Sequence, residues 1–215
     1  MVTITTPIDR LRRALDGTIP FASTDDTLAL LNTIQVKFEG DRVQFSATDR
    51  YALGTYRLHR GERAPDGDEF AAPDDAEHTS GTVKLSDAKE MLRIAKRYKR
   101  QEALREVTLT IREGDMGGVS FDFPDGPTYN TLGISGEYPP VDRLFPTGDH
   151  LATSDQSEVV FNPEFAAKVN KTAHAINTDR TGGVLLRLNT DAVKPAVFRL
   201  NGDDHWRCLL MPMRG

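Results

Sequence analysis

Val2-Thr-Ile-Thr-Thr-Pro-Ile-Asp-Arg-Leu-Arg-Arg-Ala-Leu-Asp-Gly17 reads as a short strand running into a capped helix. The alternation Val2-Thr3-Ile4 predicts the strand. Thr6 then offers an N-cap oxygen, and Pro7 sits where a missing amide costs nothing. Ile8, Leu11 and Leu15 recur at helical spacing as far as Asp16-Gly17, where the helix should stop. Strands follow: Ile34, Val36 and Phe38 alternate, Gly40-Asp41 turns, and Val43, Phe45 and Ala47 alternate back.

The same order recurs twice. Val83-Lys84-Leu85 predicts a strand, Ser86 a cap with Asp87 favourable to the helix dipole, and Ala88, Met91, Leu92 and Ala95 the apolar face of a helix to about Arg100. Val107, Leu109 and Ile111 alternate, as do Val119, Phe121 and Phe123 after Gly117-Gly118; Asp125-Gly126 turns into Tyr129–Ile134. The third unit opens with Val159-Val160-Phe161 as a strand. Asn162-Pro163 repeats the cap signal, with Phe165, Val169, Ala173 and Ile176 as the helical stripe and strands at Val184–Leu188, Ala196–Leu200 and Arg207–Met211. The chain is therefore read as α+β, three βα-then-β units near residues 1–58, 82–135 and 157–215, alike in pattern with no close sequence repeat.

Arg60–Ser80 holds seven acids and two prolines, which predicts a solvated surface loop, a tolerated insertion rather than a functional arm. Of the 215 residues, 38% are hydrophobic and 27% charged, enough apolar material for a real core. No apolar run is long enough for a membrane helix, and the first residues lack the basic start and apolar core of a signal peptide. A single cysteine, Cys208, excludes an internal disulfide and a multi-cysteine zinc site, and points to a reducing cytoplasm.

The net charge is −5, which argues against a surface coated for nucleic acid, but the charge is unevenly distributed. Lys89, Arg93, Lys96 and Arg100 fall on one stripe of the second predicted helix, joined by Arg97 and Lys99. The first and third helices add Arg10, Arg12 and Arg13, and Lys168 and Lys171. Basic helices on an acidic body imply a phosphate-facing helical surface; for the first and third helices ordinary solubilising charge is the better explanation of the bases, and for the second the two readings weigh equally. No base-reading motif is present, so any contact should be to phosphates and salt-sensitive.

Catalytic patterns are missing. The histidines are scattered, and there is no HExxH, GxGxxG, GxxxxGK[ST] or GxSxG. Asp203-Asp204-His205 reads as a hairpin turn between Leu200 and Trp206, the segment around Asp122 and Asp125 as a turn without calcium-loop spacing, and Cys208 as a buried inert thiol. The expectation is a protein that is not an enzyme, with no cofactor and no metal.

Three stretches are more specific: Ser46-Ala-Thr-Asp-Arg-Tyr-Ala-Leu-Gly54, Gly136-Glu-Tyr-Pro-Pro-Val-Asp-Arg-Leu-Phe-Pro146 and Leu209-Leu-Met-Pro-Met-Arg-Gly215. Together they resemble the bacterial DNA sliding clamp, the β subunit of the replicative DNA polymerase III. That family carries an Ala-Thr-Asp-x-[His/Tyr]-Arg-Leu segment in its middle domain, a Phe-Pro-Asp-type entry to its last domain and a Met-Pro-[Val/Met]-Arg tail. The resemblance implies the DNA-clamp fold of repeated β-α-β-β-β units, with antiparallel sheets outside and helices lining a ring around double-stranded DNA. On this chain Arg10, Arg13, Lys89, Arg93, Lys96, Arg97, Arg100, Lys168 and Lys171 would face the DNA. It also implies a hydrophobic cleft for clamp-binding-motif peptides of DNA polymerase and other replication or repair proteins, using Thr48, Leu53, Pro139, Arg143, Leu144, Leu209, Met211, Pro212 and Met213. A clamp loader is left open as a further partner. Adaptable methionine and aliphatic side chains suit a surface that takes several peptides.

Ala52 stands where the family usually has arginine, and the acidic loop is longer than the family's connection. The chain is also short, equivalent to a middle domain (1–140, its two units joined by loop 59–81) and half of a last domain (141–215). Rings of the family have twelve such helices, so three per chain imply four chains, with two-fold axes at both kinds of subunit contact. A trimer or a dimer stays open. The small size leaves room for a viral or mobile-element origin within a bacterial cytoplasm. Two other readings remain: a clamp-like peptide-binding adaptor or decoy that never encircles DNA, and a sequence-independent DNA binder using the second helix alone.

Overall fold

The computed structural model describes residues 2–40, 42–59, 78–112, 117–126, 128–146, 159–177, 182–189, 191 and 193–213. Residues 60–77 of the acidic loop, and Asp41 of the predicted Gly40-Asp41 turn, lie outside that set.

The first unit comprises β1 (Val2–Pro7), α1 (Ile8–Thr18), β2 (Thr33–Glu39), β3 (Arg42–Thr48) and β4 (Ala52–His59). The second comprises β5 (His78–Lys84), α2 (Leu85–Ala95), β6 (Glu106–Ile111), β7 (Val119–Asp122) and β8 (Thr128–Asn130). The third comprises α3 (Pro163–Ile176), β9 (Val184–Arg187), β10 (Ala196–Leu200) and β11 (Asp203–Leu210). All pairings are antiparallel, in one sheet of order β1-β6-β7-β8 and another of order β5-β2-β3-β4-β11-β10-β9.

The first two units exchange their leading strands. β1 joins the second unit's sheet through β6, and β5 joins the first unit's sheet through β2. The third unit is fused to the first by the β4–β11 ladder, which registers Leu53 with Leu209 and Tyr56 with Trp206. Helix α1 packs against both α2 and α3, and one apolar core runs between the helices and the sheets. The predicted stripes face it: Ile8, Leu11 and Leu15, then Ala88, Met91 and Ala95, then Val169, Ala173 and Ile176 are buried.

Trp206, fully buried on β11, donates its indole N–H to the Gly17 carbonyl at 3.1 Å. That carbonyl belongs to the last turn of α1, where helical partners run out. Gly54 is required by close approach, since a Cβ there would lie 2.2 Å from the ring of Phe21.

Four local expectations are corrected. Neither Thr6 nor Ser86 caps a helix: each leading strand runs straight into its helix, and Ile8 N–H donates to the Arg105 carbonyl (2.9 Å) while Leu85 N–H donates to the Asn32 carbonyl (3.0 Å). Only the third cap stands, with Asn162 Oδ1 accepting from Glu164 N–H at 2.8 Å. Helix α2 ends at Ala95 rather than near Arg100; the chain turns there and stacks Tyr98 on Phe123, centroids 5.9 Å apart, a burial that a continued helix would forgo. The last hairpin turns at Asn201-Gly202, where Gly202 has φ +81°, so Asp203–His205 is strand. Finally, residues 159–161 form no strand.

Candidate peptide cleft and helical surface

The cleft begins with the turn between β3 and β4. Asp49 Oδ1 accepts from the backbone N–H of Tyr51 (3.0 Å) and Ala52 (2.8 Å), and the Thr48 hydroxyl donates to the Ala52 carbonyl at 2.9 Å. These bonds hold Arg50 at φ +80°, a conformation that non-glycine residues adopt only when the surroundings impose it. Tyr51 is thereby stacked on Phe165 of α3, centroids 5.6 Å apart, and its carbonyl accepts from Met211 N–H at 2.9 Å. The Ala-Thr-Asp segment is thus a turn-building device that places its neighbours along the β4–β11 seam.

Beside that seam lies a cleft of about 630 Å³. Leu53 and Leu209 form its floor, packed with Tyr138, Val141 and Val197 in a small apolar cluster of their own. Burial raises the Tyr138 phenol well above its ordinary value, so it remains a neutral donor toward the Ser46 carbonyl, 3.4 Å away. One wall is the 3-10 turn Val141–Leu144 with Phe145 and Pro146, and the other is Asn189, Val193, Lys194 and Pro195. Leu144, Tyr51 and Met211 expose 49%, 59% and 39% of their surface, which leaves apolar side chains facing solvent at the rim.

The turn Val141–Leu144 is anchored from beneath. Asp142 accepts from Lys37 Nζ (3.1 Å) and from Gln44 Nε2 (2.7 Å), with the Arg57 guanidinium 3.6 Å away. Burial disfavours the Lys37 charge, but its bonds to Glu39 and Asp142 outweigh that and raise its pKa. Burial lowers the pKa of Arg57 despite the same carboxylate nearby. Asp142→Ala leaves Lys37 with Glu39 alone and takes the nearest carboxylate from the buried Arg57 guanidinium, and we expect a loss of about 2–3 kcal/mol in denaturant unfolding. A change within measurement error would show that Asp142 does not hold the turn.

Of the residues expected in the cleft, Thr48, Leu53, Arg143, Leu144, Leu209 and Met211 line it. Pro139, Pro212 and Met213 do not; the chain leaves the rim after Met211, and Met213 N–H donates to the Val160 carbonyl at 2.8 Å. Ala52 borders the cleft, but it is buried and belongs to the main apolar core, whereas its neighbour Leu53 belongs to the cleft floor. Arg50, Tyr51, Phe145 and Pro146 also line it and lie inside the same motifs, next to the expected residues. Asn189, Val193, Lys194 and Pro195 belong to no motif and are brought in only by the sheet order.

The bases are arranged differently from the expected stripe. Within α2 itself Lys89 and Arg93 are balanced by Asp87 and Glu90, and Arg93 pairs with Glu90 at 2.5 Å. Lys96 Nζ meets Asp16 Oδ1 of α1 at 2.8 Å, and Lys168 meets Asp49 at 2.5 Å. Arg13 is bound to Asp9 at 2.5 Å. The surplus sits just past α2, where Arg97, Lys99 and Arg100 are exposed, as are Lys89 on α2 and Lys171 on α3. Cys208 is fully buried and its thiol pKa is pushed far up by that burial. Among the described residues, no group of three or more His, Cys, Asp or Glu is placed to hold a metal ion, and no helix is long and apolar enough to cross a membrane.

Strand exchange between adjacent units, a row of three helices and a seam cleft define a clamp-type chain. In comparisons with solved structures, the DNA polymerase III β subunit of Thermotoga maritima superposes over 100% of this chain and 66% of its own, with a TM-score of 0.73 at 14% identity. A sliding clamp of Pseudomonas aeruginosa bound to griselimycin matches with a TM-score of 0.72 at 16% identity, over 100% and 66% of the two chains. The sliding clamp of Bacillus subtilis matches with a TM-score of 0.68 at 17% identity, over 100% and 64%. The chain has the sliding-clamp fold and spans about two thirds of the length of these clamps. No protein-family model matches the sequence, and no curated protein does.

Proposed function

We propose that this protein is a non-enzymatic processivity factor of the sliding-clamp type. It forms a homo-oligomeric ring that surrounds duplex DNA without sequence preference, and holds polymerases or other DNA-handling proteins by a short linear peptide. Residues 1–140 act as a complete two-unit domain and 141–215 as a half-domain. The observation that carries this reading is the apolar cleft along the β4–β11 seam, open at the rim and built from two units at once. The exposed bases Lys89, Arg97, Arg100 and Lys171 support the contact with phosphates. The reading requires no cofactor and places the protein in a bacterial cytoplasm, where replication takes place.

Retention on DNA tests the ring. Protein assembled on closed circular duplex, with a clamp loader if one is needed, should stay bound through gel filtration and be lost once the circle is cut. Equal retention on cut and closed circles would overturn encirclement. A labelled clamp-binding-motif peptide tests the cleft separately: Met211→Asp should abolish its binding, and unchanged affinity would place the peptide elsewhere. Peptide binding without retention would leave the adaptor or decoy reading.

A further inference from the structure

Two of the three units finish their sheets by trading strands, and the rule of that trade can be read from the structure. The strand that follows each helix has its outer edge covered by the segment leading into the other unit's helix: β5 covers β2, and β1 covers β6. In both trades the residue two before the helix meets the first residue of the acceptor strand whose backbone groups face the covered edge, Thr6 with Val107 and Val83 with Ile34.

The third unit holds both halves of such a trade and completes neither. Its acceptor β9 ends the seven-stranded sheet, and among the described residues no strand covers its outer edge. Val184, Leu185 and Leu186 are exposed there by 38%, 37% and 47%. Its leading segment, residues 159–161, joins no sheet, and Val160 is 62% exposed. A groove of about 400 Å³ opens between α3 and β9, lined by Asn170, His174, Asn177 and Val184 among others, on a flank of α3 that no helix covers among the described residues. An apolar edge strand of this kind invites pairing with another chain.

We propose that the occupant of this edge is a second copy of the same chain, which gives residues 159–162 to β9 of its partner and receives the same segment in return. The donor and the acceptor lie in one unit, so a two-fold axis satisfies both at once, as an isologous contact requires. In β9 the backbone groups of Leu185 face β10, because Asn201 N–H donates to the Gly183 carbonyl in the same ladder, so Val184 is the first residue with its groups at the open edge. Applied to the third unit, the rule of the internal trades pairs Phe161 with Val184 of the partner subunit, and therefore Val160 with Leu185 of the partner subunit. The Val160 carbonyl already accepts from Met213. In an extended strand successive residues turn their backbone groups to opposite edges, so Val159 and Phe161 present theirs to the partner. This contact rests on the fold and not on the ring, so it stands or falls apart from retention on DNA.

The test is mass together with cross-linking. Light scattering of the intact protein across the micromolar range should give two or four chains, and a persistent single-chain or three-chain mass would overturn the proposal. Both exposed positions then accept cysteine with little cost to folding, while Cys208 remains buried. On mild oxidation the V160C/L185C variant should become a covalent dimer, and each single variant should stay uncross-linked. An oligomer in which V160C/L185C fails to cross-link would overturn the strand trade. So would efficient cross-linking of L185C alone, which would mean that β9 pairs with its own copy directly.

Discussion

Trp206→Ala should destabilise the protein by about 3–5 kcal/mol, the range for removing a fully buried large aromatic side chain. The indole sits on the last strand of the third unit but packs under the first: it lies opposite Tyr56 in the ladder, with its ring centroid 6.5 Å from that of Phe21 and its N–H on the Gly17 carbonyl. Its loss therefore opens the seam that carries the cleft, and a labelled cleft peptide should be lost along with stability. Trp206→Phe keeps much of the volume and strands only the Gly17 carbonyl, at a smaller cost of about 1–3 kcal/mol. Urea unfolding of the three proteins checks this. An alanine variant as stable as the parent would mean that the third unit is not held by this seam.

What was legible in the sequence is what each segment decides for itself. The stripes of Ile8, Leu11 and Leu15 or of Val169, Ala173 and Ile176 announce their helices because each helix buries a single face. The alternations in β2, β3, β6 and β7 do the same for strands. The errors arise where a distant part of the chain decides. Thr6 and Ser86 are good caps in isolation, but the orphan amides of α1 and α2 are met by the carbonyls of Arg105 and Asn32 in the neighbouring unit. Tyr98 leaves the helical path for Phe123, which lies two strands away. The three apolar residues 159–161 have every local mark of a strand and lack an acceptor within the described residues.

The cleft follows the same division. Leu53, Leu209 and Met211 could be placed through the motifs that hold them, whereas Asn189, Val193 and Lys194 reach the wall only because β11 joins β4 and carries β10 and β9 alongside. Asp142 stands inside a quoted motif, yet its role depends on Lys37, Gln44 and Arg57 from three strands of the first unit. Charge balance depends on distant partners for a related reason. Acids spaced along one helix can be counted from sequence, but Asp16 neutralises Lys96 from the adjacent helix.

That redistribution decides which bases matter for DNA. Arg93, Lys96 and Lys168 already hold carboxylates, so reversing them would break ion pairs within the protein as well as any contact with phosphate. Lys89, Arg97, Arg100 and Lys171 are exposed, and reversing all four to Glu should leave unfolding within about 0.5 kcal/mol per site. Each phosphate contact contributes about 0.9 to the slope of log affinity against log salt, so losing four flattens that slope by about 3.6. Titration of the parent and the variant onto short duplex DNA at several salt concentrations measures this directly, and retention on closed circles should fall with it. A variant with the parent's affinity and slope would mean that duplex DNA does not meet these four bases, and the processivity reading would lose its DNA-facing surface. A flattened slope with an intact cleft peptide interaction would place the two functions on separate surfaces, phosphate on the helices and peptide on the β4–β11 seam.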